Sequence, residues 1–327
     1  MTANAPLDEL IAHTYPYRGL AWPNPTVGAS VVKDGRILGV GVHTVYGEAH
    51  AERIALAAAG DNARGATLYS TLEPCTHTGK TPPCCEAIID AGIHTVVWAS
   101  DDPHAHVRIR PAQPILEGAG IRVQRGSLDA KARHLNPALF HTKKRPYITL
   151  KIAQSLDGKL VAPKNRYITN TRARRFVHQL RHEVDAVLIG GGTLRHDDPE
   201  LTIRHDIPHT KLPDVIILSR HAPDKHYACM QAKRQVHWLD YRDGWDAIMD
   251  QIAALGYRHI LVEGGPVLLN NMIDKADTLI LMTAGCILGG EAHWGISLDV
   301  ALDPIVTHTF TGDPETCMRV FQVSNRV

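Results

Sequence analysis

Hydrophobic and polar positions along the chain fall into two successive blocks of alternating texture. From Pro25 to about Gly126, short β-rich runs alternate with helix-like ones. VGASVV (27–32) and ILGVGV (37–42) flank KDG (33–35), a hairpin turn signal. A helical stretch follows from His50 to Ala59, then a strand at ATLYST (66–71), a helix at CEAIIDAG (85–92) and a strand at HTVVWAS (94–100). Strands interleaved with helices predict an α/β layer in which helices cover a mixed sheet. Ahead of this region, Pro16 and Pro23 limit any leading helix to about LDELIAHT (7–14).

The segment SLDAKARHLNPALFHTKKRPY (127–147) is polar, carries Pro137 and Pro146, and predicts a connecting helix and linker. The pattern then restarts with a strand at ITLKIA (148–153), a helix over TRARRFVHQLRHEV (171–184) and a strand at AVLIGGG (186–192). Further strands are expected at DVIILS (214–219), HILVEGG (259–265) and LILMTA (279–284). The boundary falls near 143–147, dividing the chain into 1–144 and 145–327. A length of 327 residues suits two domains at ~100–200 residues each.

Composition narrows the partners. Hydrophobic residues make up 44% and charged residues 21%, an ordinary globular mix with ample core material. Lys plus Arg is 35 against Asp plus Glu at 34, so no net field gathers a polyanion. That favours a small-molecule substrate over nucleic acid and leaves room for a local phosphate pocket. No stretch reaches the ~18–20 apolar residues of a membrane helix. The opening MTANAPLDELIAHTYPYRG has no basic region followed by an apolar run, so no signal peptide is expected. Six cysteines are too sparse for a disulfide scaffold, and two follow prolines in a ligand-like pattern. Metal binding in a reducing cytoplasm is the expectation.

The candidate chemistry lies in GEAHAERIAL (47–56) and LEPCTHTGKTPPCCEAI (72–88). A catalytic zinc takes three protein ligands and keeps one position for water. His50, Cys75 and Cys84 meet that count, and such a site brings the water's pKa towards neutrality. Glu52 sits two residues from His50 and can reach the water without ligating, moving its proton to a leaving amine. The arrangement follows the H-x-E…P-C-x-x-C pattern of zinc deaminases, with eight residues between Cys75 and Cys84 instead of two. A closed structural zinc site with Cys85 or His77 as fourth ligand is the competing reading, as is a non-catalytic zinc-stabilised binding module.

Over a longer span, PNPTVGASVVKDGRILGVGVH (23–43), HAE (50–52) and EPCTHTGKTPPCCEAIIDAGI (73–93) resemble the deaminase half of the bifunctional riboflavin-biosynthesis deaminase–reductases. RPYITLKIAQSLDGK (145–159), YIT (167–169), IGGGTLRHDDPELTIR (189–204) and VEGG (262–265) resemble their reductase half. The resemblance implies a cytidine-deaminase-like α/β/α sandwich followed by a dihydrofolate-reductase-like α/β domain. It implies zinc-dependent deamination of 2,5-diamino-6-ribosylamino-4(3H)-pyrimidinone 5′-phosphate, then NADPH-dependent reduction of the ribosyl group to ribityl, in a homo-oligomer. Carried over by position, Asn24, His43, His77, Lys80 and Asp102 would contact the pyrimidine or its phosphate. Lys151, Thr169, Arg181, Asp197, Leu201, Arg204 and Glu263 would hold the ribosylamino phosphate. Gly190, Gly191, Gly192, Thr193, Gly264 and Gly265 would lie against NADPH.

Read without the resemblance, the glycine run after an apolar strand is a reasonable phosphate cradle or simply a tight turn. Arg181 and Arg204 read as surface residues. Lys151, in an apolar strand, needs either a partner such as a substrate anion or Asp197, or an outward position on an alternating strand. The chain also departs from the family pattern. His104 stands where Asn is usual after Asp-Pro, HVRIRPAQ (106–113) replaces a Gly-containing loop, and Asn165 stands for the usual Ser. Cys85 reads as a buried apolar residue, and no second metal site is read among His104, His106, His205 and His209. Three alternatives remain open: one half degenerate, a related pyrimidine of secondary metabolism as substrate, or a nucleic-acid-editing deaminase.

Overall fold

The protein is described by a computed structural model covering residues 4–104, 107, 109–160, 167–207, 209, 211–289 and 302–323. Asn165 and His106 lie outside these residues, as does part of the 104–113 loop. The chain divides into two compact units, Met1–Phe140 and His141–Val327. The division precedes 144/145 because the end of the polar linker already bonds into the second unit. Lys143 Nζ lies 3.6 Å from the buried Asp277 carboxylate, and the His141 ring packs edge-on against Tyr147 with ring centres 5.4 Å apart.

In the first unit, helix α1 (Asn4–Thr14) precedes strands β1 (Gly28–Lys33) and β2 (Arg36–Val42). Asp34 and Gly35 both take positive φ, 51° and 75°, which matches a tight hairpin turn to the twist of its strands. Then come α2 (Ala51–Ala59), β3 (Thr67–Leu72), α3 (Cys84–Asp90), β4 (Thr95–Ser100), α4 (Ala112–Gly118) and β5 (Arg122–Arg125). The sheet order is β2-β1-β3-β4-β5, with β1 antiparallel to both neighbours and β3, β4 and β5 parallel. One face packs Ala29, Val31, Leu68, Val96 and Trp98 against Ala55, Ile88 and Leu116 of the helices. The other buries Leu7 and Ile11 of α1 against Val97 and Ala99. The result is the expected three-layer sandwich. Strand β5, RVQR, has no apolar run and gave no sequence signal.

Helix α2 lies unusually close to the sheet edge. A Cβ on Gly41 would come within 2.3 Å of the Ala51 carbonyl oxygen, and one on Gly39 within 2.3 Å of that of Ala55. Backbone cannot yield as a flexible side chain does, so glycine is required at these two positions. Gly41→Ala is expected to destabilise the first unit by about 1–3 kcal/mol through overpacking, read as a lowered urea midpoint. An unchanged midpoint would show that α2 has slack against β2.

The second unit comprises β6 (Tyr147–Ser155), α5 (Thr171–Glu183), β7 (Ala186–Gly190), α6 (Gly191–Asp197), β8 (Asp214–Leu218) and β9 (Val236–Leu239). It continues with α7 (Trp245–Ala254), β10 (His259–Val262), α8 (Pro266–Met272), β11 (Thr278–Ala284), β12 (Val306–Phe310) and β13 (Thr316–Gln322). Its sheet runs β12-β13-β11-β6-β10-β7-β8-β9, parallel from β11 to β9 and antiparallel at β13 and β12. The central strands are buried on both faces, as continuous runs such as AVLIG require. That overturns the outward, alternating reading of Lys151: β6 is covered on both sides, and this side chain is only 15% exposed. Among the described residues no helix is long and apolar enough to cross a membrane.

Candidate active sites

The first site is built at the ends of elements. His50 is the N-cap of α2, and Cys84 is the first residue of α3. Cys75 lies in the loop that leaves the C-terminal end of β3. His50 Nδ1 is 3.4 Å from the sulfur of Cys75 and 3.4 Å from that of Cys84. A tetrahedral zinc, with bonds of about 2.3 Å to sulfur and 2.0 Å to nitrogen, sets such donors about 3.5 Å apart. The three side chains form the one group of this kind among the described residues. The Cys84 N–H donates to the Cys75 sulfur at 3.2 Å, and contact with the Cys84 thiol and with His50 holds the Cys75 thiol well below the usual thiol range. A soft thiolate pair with one imidazole suits zinc. Cys85, offered as a fourth donor, is buried with its sulfur 3.8 Å from the Pro74 carbonyl oxygen, and burial pushes its thiol up to about 12.

Glu52, in the first turn of the same helix, is buried beside this triad with Oε2 3.4 Å from the Cys84 sulfur. Burial, with the Cys75 sulfur adding to it, raises its carboxyl to about 7. A carboxyl poised near neutrality both accepts and returns a proton.

A cavity of about 450 Å³ opens onto the triad. Asn24, His43, His77, Lys80 and Asp102 all line it, together with His50, Glu52 and Cys75. His43 Nδ1 is 3.0 Å from the Ala49 carbonyl oxygen, which fixes the proton there. Nε2 then accepts from the Asn24 amide at 3.1 Å. Burial lowers the basicity of His43 and favours this neutral form. His104 lies within the same lining, its Nδ1 2.7 Å from Asp102 Oδ1.

Glu73 was quoted in the sequence motif without a role. Its buried carboxylate accepts the Asp102 N–H at 3.2 Å and the Ala112 N–H at 2.8 Å, so it ties down both ends of the loop bearing His104. No local pattern signals this, because the partners are distant in sequence.

In the second unit, Arg181 of α5 donates through Nε and Nη2 to the two carboxylate oxygens of Glu263, at 2.7 and 3.1 Å. Lys151 of β6 approaches the same carboxylate at 3.3 Å, so its partner is Glu263 and not Asp197. Burial would raise the Glu263 carboxyl, but the two cations outweigh it and hold it at about 2. Arg181 also donates to the Thr202 carbonyl oxygen at 3.2 Å, next to Leu201, which is buried at a positive φ of 52°. Thr169 is buried just before α5. Asp197 pairs instead with His196 at 2.7 Å, and Arg204 with Glu200 at 3.2 Å. Both lie half exposed, outside the buried trio.

A second cavity, of about 580 Å³, is lined by Gly190, Gly191, Gly192, Thr193 and Gly265. Gly264 is not among its lining residues and packs against Leu268 and Thr193. A Cβ on Gly192 would meet nothing within 4 Å, so the backbone there lies open to an approaching ligand. Leu218, Trp245 and Val267 supply apolar walls. The volume and lining suit much of a dinucleotide. Arg195, Ser219, Arg220 and Tyr241 also line it, and none was singled out from sequence.

Comparison with known proteins matches this division. Residues 10–100 match the family of the cytidine and deoxycytidylate deaminase zinc-binding region, and residues 146–301 match the RibD C-terminal domain. The riboflavin biosynthesis protein RibD of Aquifex aeolicus is 40% identical over 301 residues, spanning 83% of this chain and 84% of that protein. Its counterpart in Corynebacterium ammoniagenes is 35% identical, spanning 94% and 91%. A crystal structure of a diaminohydroxyphosphoribosylaminopyrimidine deaminase/5-amino-6-(5-phosphoribosylamino)uracil reductase from Thermotoga maritima is 31% identical, covers 97% of each chain and superposes with a TM-score of 0.63. A zinc-site deaminase unit joined to a reductase unit, matched along nearly the whole chain, places this protein in the riboflavin biosynthesis protein RibD family.

Proposed function

We propose that residues 1–144 deaminate 2,5-diamino-6-ribosylamino-4(3H)-pyrimidinone 5′-phosphate and that residues 145–327 then reduce its ribosyl group to ribityl with NADPH. The observation that carries the first step is a buried carboxyl, Glu52, set against an open His50–Cys75–Cys84 triad at the floor of a cavity. Zinc held by those three residues would supply Lewis acidity and acidify a water. Glu52 takes the water's proton on its carboxylate and delivers it to the departing amino nitrogen, which leaves as ammonia. Asn24, held by His43, lies at the cavity wall to orient the ring, and His77 and Lys80 stand on the exposed side, where a phosphate enters. Near-balanced charge favours a free phosphorylated pyrimidine over nucleic acid. Six free thiols suit a reducing, cytoplasmic setting.

For the second step, NADPH would supply a hydride equivalent to C1′ of the sugar. Lys151 and Arg181, held by Glu263, present fixed positive charge for the sugar phosphate. The Leu201–Thr202 turn closes the same corner through its bond to Arg181, and Thr169 is taken to contact the same phosphate by family position. Catalysis here rests on orientation and electrostatic anchoring.

Incubation of the protein with the diaminopyrimidinone phosphate should release ammonia without NADPH and yield the ribitylamino product only with it. A zinc chelator should abolish ammonia release while NADPH oxidation on the deaminated substrate persists, and added zinc should restore the first step. Ammonia release that survives complete zinc removal would overturn the deaminase mechanism.

A further inference from the structure

Arg234, two residues ahead of β9, makes four hydrogen bonds, and each goes to a backbone carbonyl oxygen. Nε donates to Cys229 at 3.0 Å. Nη1 donates to Leu201 at 2.8 Å and to Pro213 at 3.2 Å, and Nη2 donates to Glu200. A guanidinium has five N–H donors, so this one is almost wholly engaged within the protein. The side chain lines neither of the two cavities. It braces backbone and has little left for a ligand.

The backbone it braces is strained and lies beside the buried trio of the second unit. Leu201 is buried with φ 52°, and Asp198 has φ 41°. Residues other than glycine take this left-handed conformation at a cost, so it persists where surrounding contacts impose it. The segment leading to Arg234 supplies another such contact, the Ala228 N–H donating to Asp198 Oδ1 at 2.8 Å. The carbonyl oxygen that follows those of Glu200 and Leu201 is that of Thr202, and it accepts from Arg181 Nη1 at 3.2 Å. Nε and Nη2 of Arg181 are held by the Glu263 carboxylate. All three nitrogens of Arg181 are therefore anchored, and two N–H groups remain for an anion. Three successive carbonyl groups thus connect Arg234 to the orientation of Arg181.

We propose that Arg234 is a positioning residue of the reductase, holding the 200–202 turn so that Arg181 is aimed at the phosphate of the sugar substrate. The proposal rests on the reading of the Lys151–Arg181–Glu263 corner as the phosphate anchor. The fork of the guanidinium is what the role requires. A lysine ammonium keeps the charge but cannot span the carbonyl oxygens of Cys229, Pro213, Leu201 and Glu200 at once.

Steady-state reduction of the deaminated substrate by the full chain tests it, with Arg234→Met and Arg234→Lys beside wild type. Both variants should raise the KM for the sugar phosphate about tenfold, the effect of misaiming one charge-assisted hydrogen bond. The kcat should stay within about threefold of wild type, because the lost contact serves binding of the phosphate. The NADPH Kd, read by fluorescence titration, reports whether the second unit keeps its fold and should move by less than about twofold. In an Arg181→Lys background, Arg234→Met should add less than about threefold to KM, since both changes remove the same aimed contact. A wild-type KM in Arg234→Met overturns the proposal, and one in Arg234→Lys does so by assigning the effect to charge alone. Parallel loss of kcat and NADPH binding, or fully additive effects in the double variant, overturns it in favour of general loosening. A wild-type KM in Arg181→Lys overturns the reading of the corner itself, and the proposal with it.

Discussion

Glu52→Gln is expected to lower ammonia release by about 10²–10⁴-fold, the usual worth of a positioned proton carrier, while leaving zinc content unchanged. The amide keeps the size and shape of the carboxyl but cannot accept a proton at neutral pH. Because the metal triad is His50, Cys75 and Cys84, the substitution removes no ligand. Two measurements on one sample decide the matter, namely ammonia produced per minute and zinc bound per chain. Full zinc with activity within about threefold of wild type would remove Glu52 from the proton path. Loss of zinc together with activity would assign it to holding the triad. Reduction of the deaminated substrate should be unaffected, because Glu52 belongs to the first unit.

Glu263→Gln should destabilise the second unit by about 3 kcal/mol or more, because Lys151 and Arg181 are 15% and 11% exposed and would keep their charges without the counter-ion. Urea unfolding of the second unit measures this. The effect should depend on pH in a defined direction. The folded carboxyl titrates at about 2, below its ordinary value of 4.5. Its stabilisation is therefore complete above about 4.5 and fades as pH falls towards 2. The gap between wild type and variant should accordingly be widest near neutrality and narrow in acid. A gap that stays constant down to pH 3 would mean that the carboxylate contributes shape and not charge. Turnover of NADPH should fall with the same substitution, since the two cations lose their fixed positions.

How legible these sites were depends on how far apart their parts lie in the chain. His50 and Glu52 share one turn of helix, and Cys75 and Cys84 lie at the two ends of one short connection, so short motifs carry the whole metal centre. The Glu263 trio could not be assembled that way. Arg181 and Glu263 are 82 residues apart, and only the adjacency of β6 and β10 brings Lys151 to the same carboxylate. Sequence reading therefore named all three residues through the family resemblance but did not include Glu263 among the partners it weighed for Lys151. The α/β layers and the main strands were readable as apolar runs. Strands β5, β9, β12 and β13 were missed, because RVQR and VHWL are at most half-buried and VTHTF and TCMRVFQ break their apolar positions with polar ones. Exposed groups such as Arg220 and Tyr241 give no periodic signal and become visible only as walls of a cavity.

The clamp that Glu73 forms has a consequence for how this pocket changes over time. One carboxylate grips Asp102 and Ala112, the two margins of the segment 103–111. Closure of that segment is thereby delegated to a residue outside it. With both endpoints fixed, a replacement at an exposed position of the span does not have to close the loop as well. Within the span, Val107 is buried and the Arg110 carbonyl oxygen accepts a hydrogen bond from Thr76, so these two points stay constrained while exposed positions such as Ile109 can change. Exposed positions of 103–111 can therefore be varied, beside a cavity wall that includes His104, without disturbing the anchoring of the metal centre.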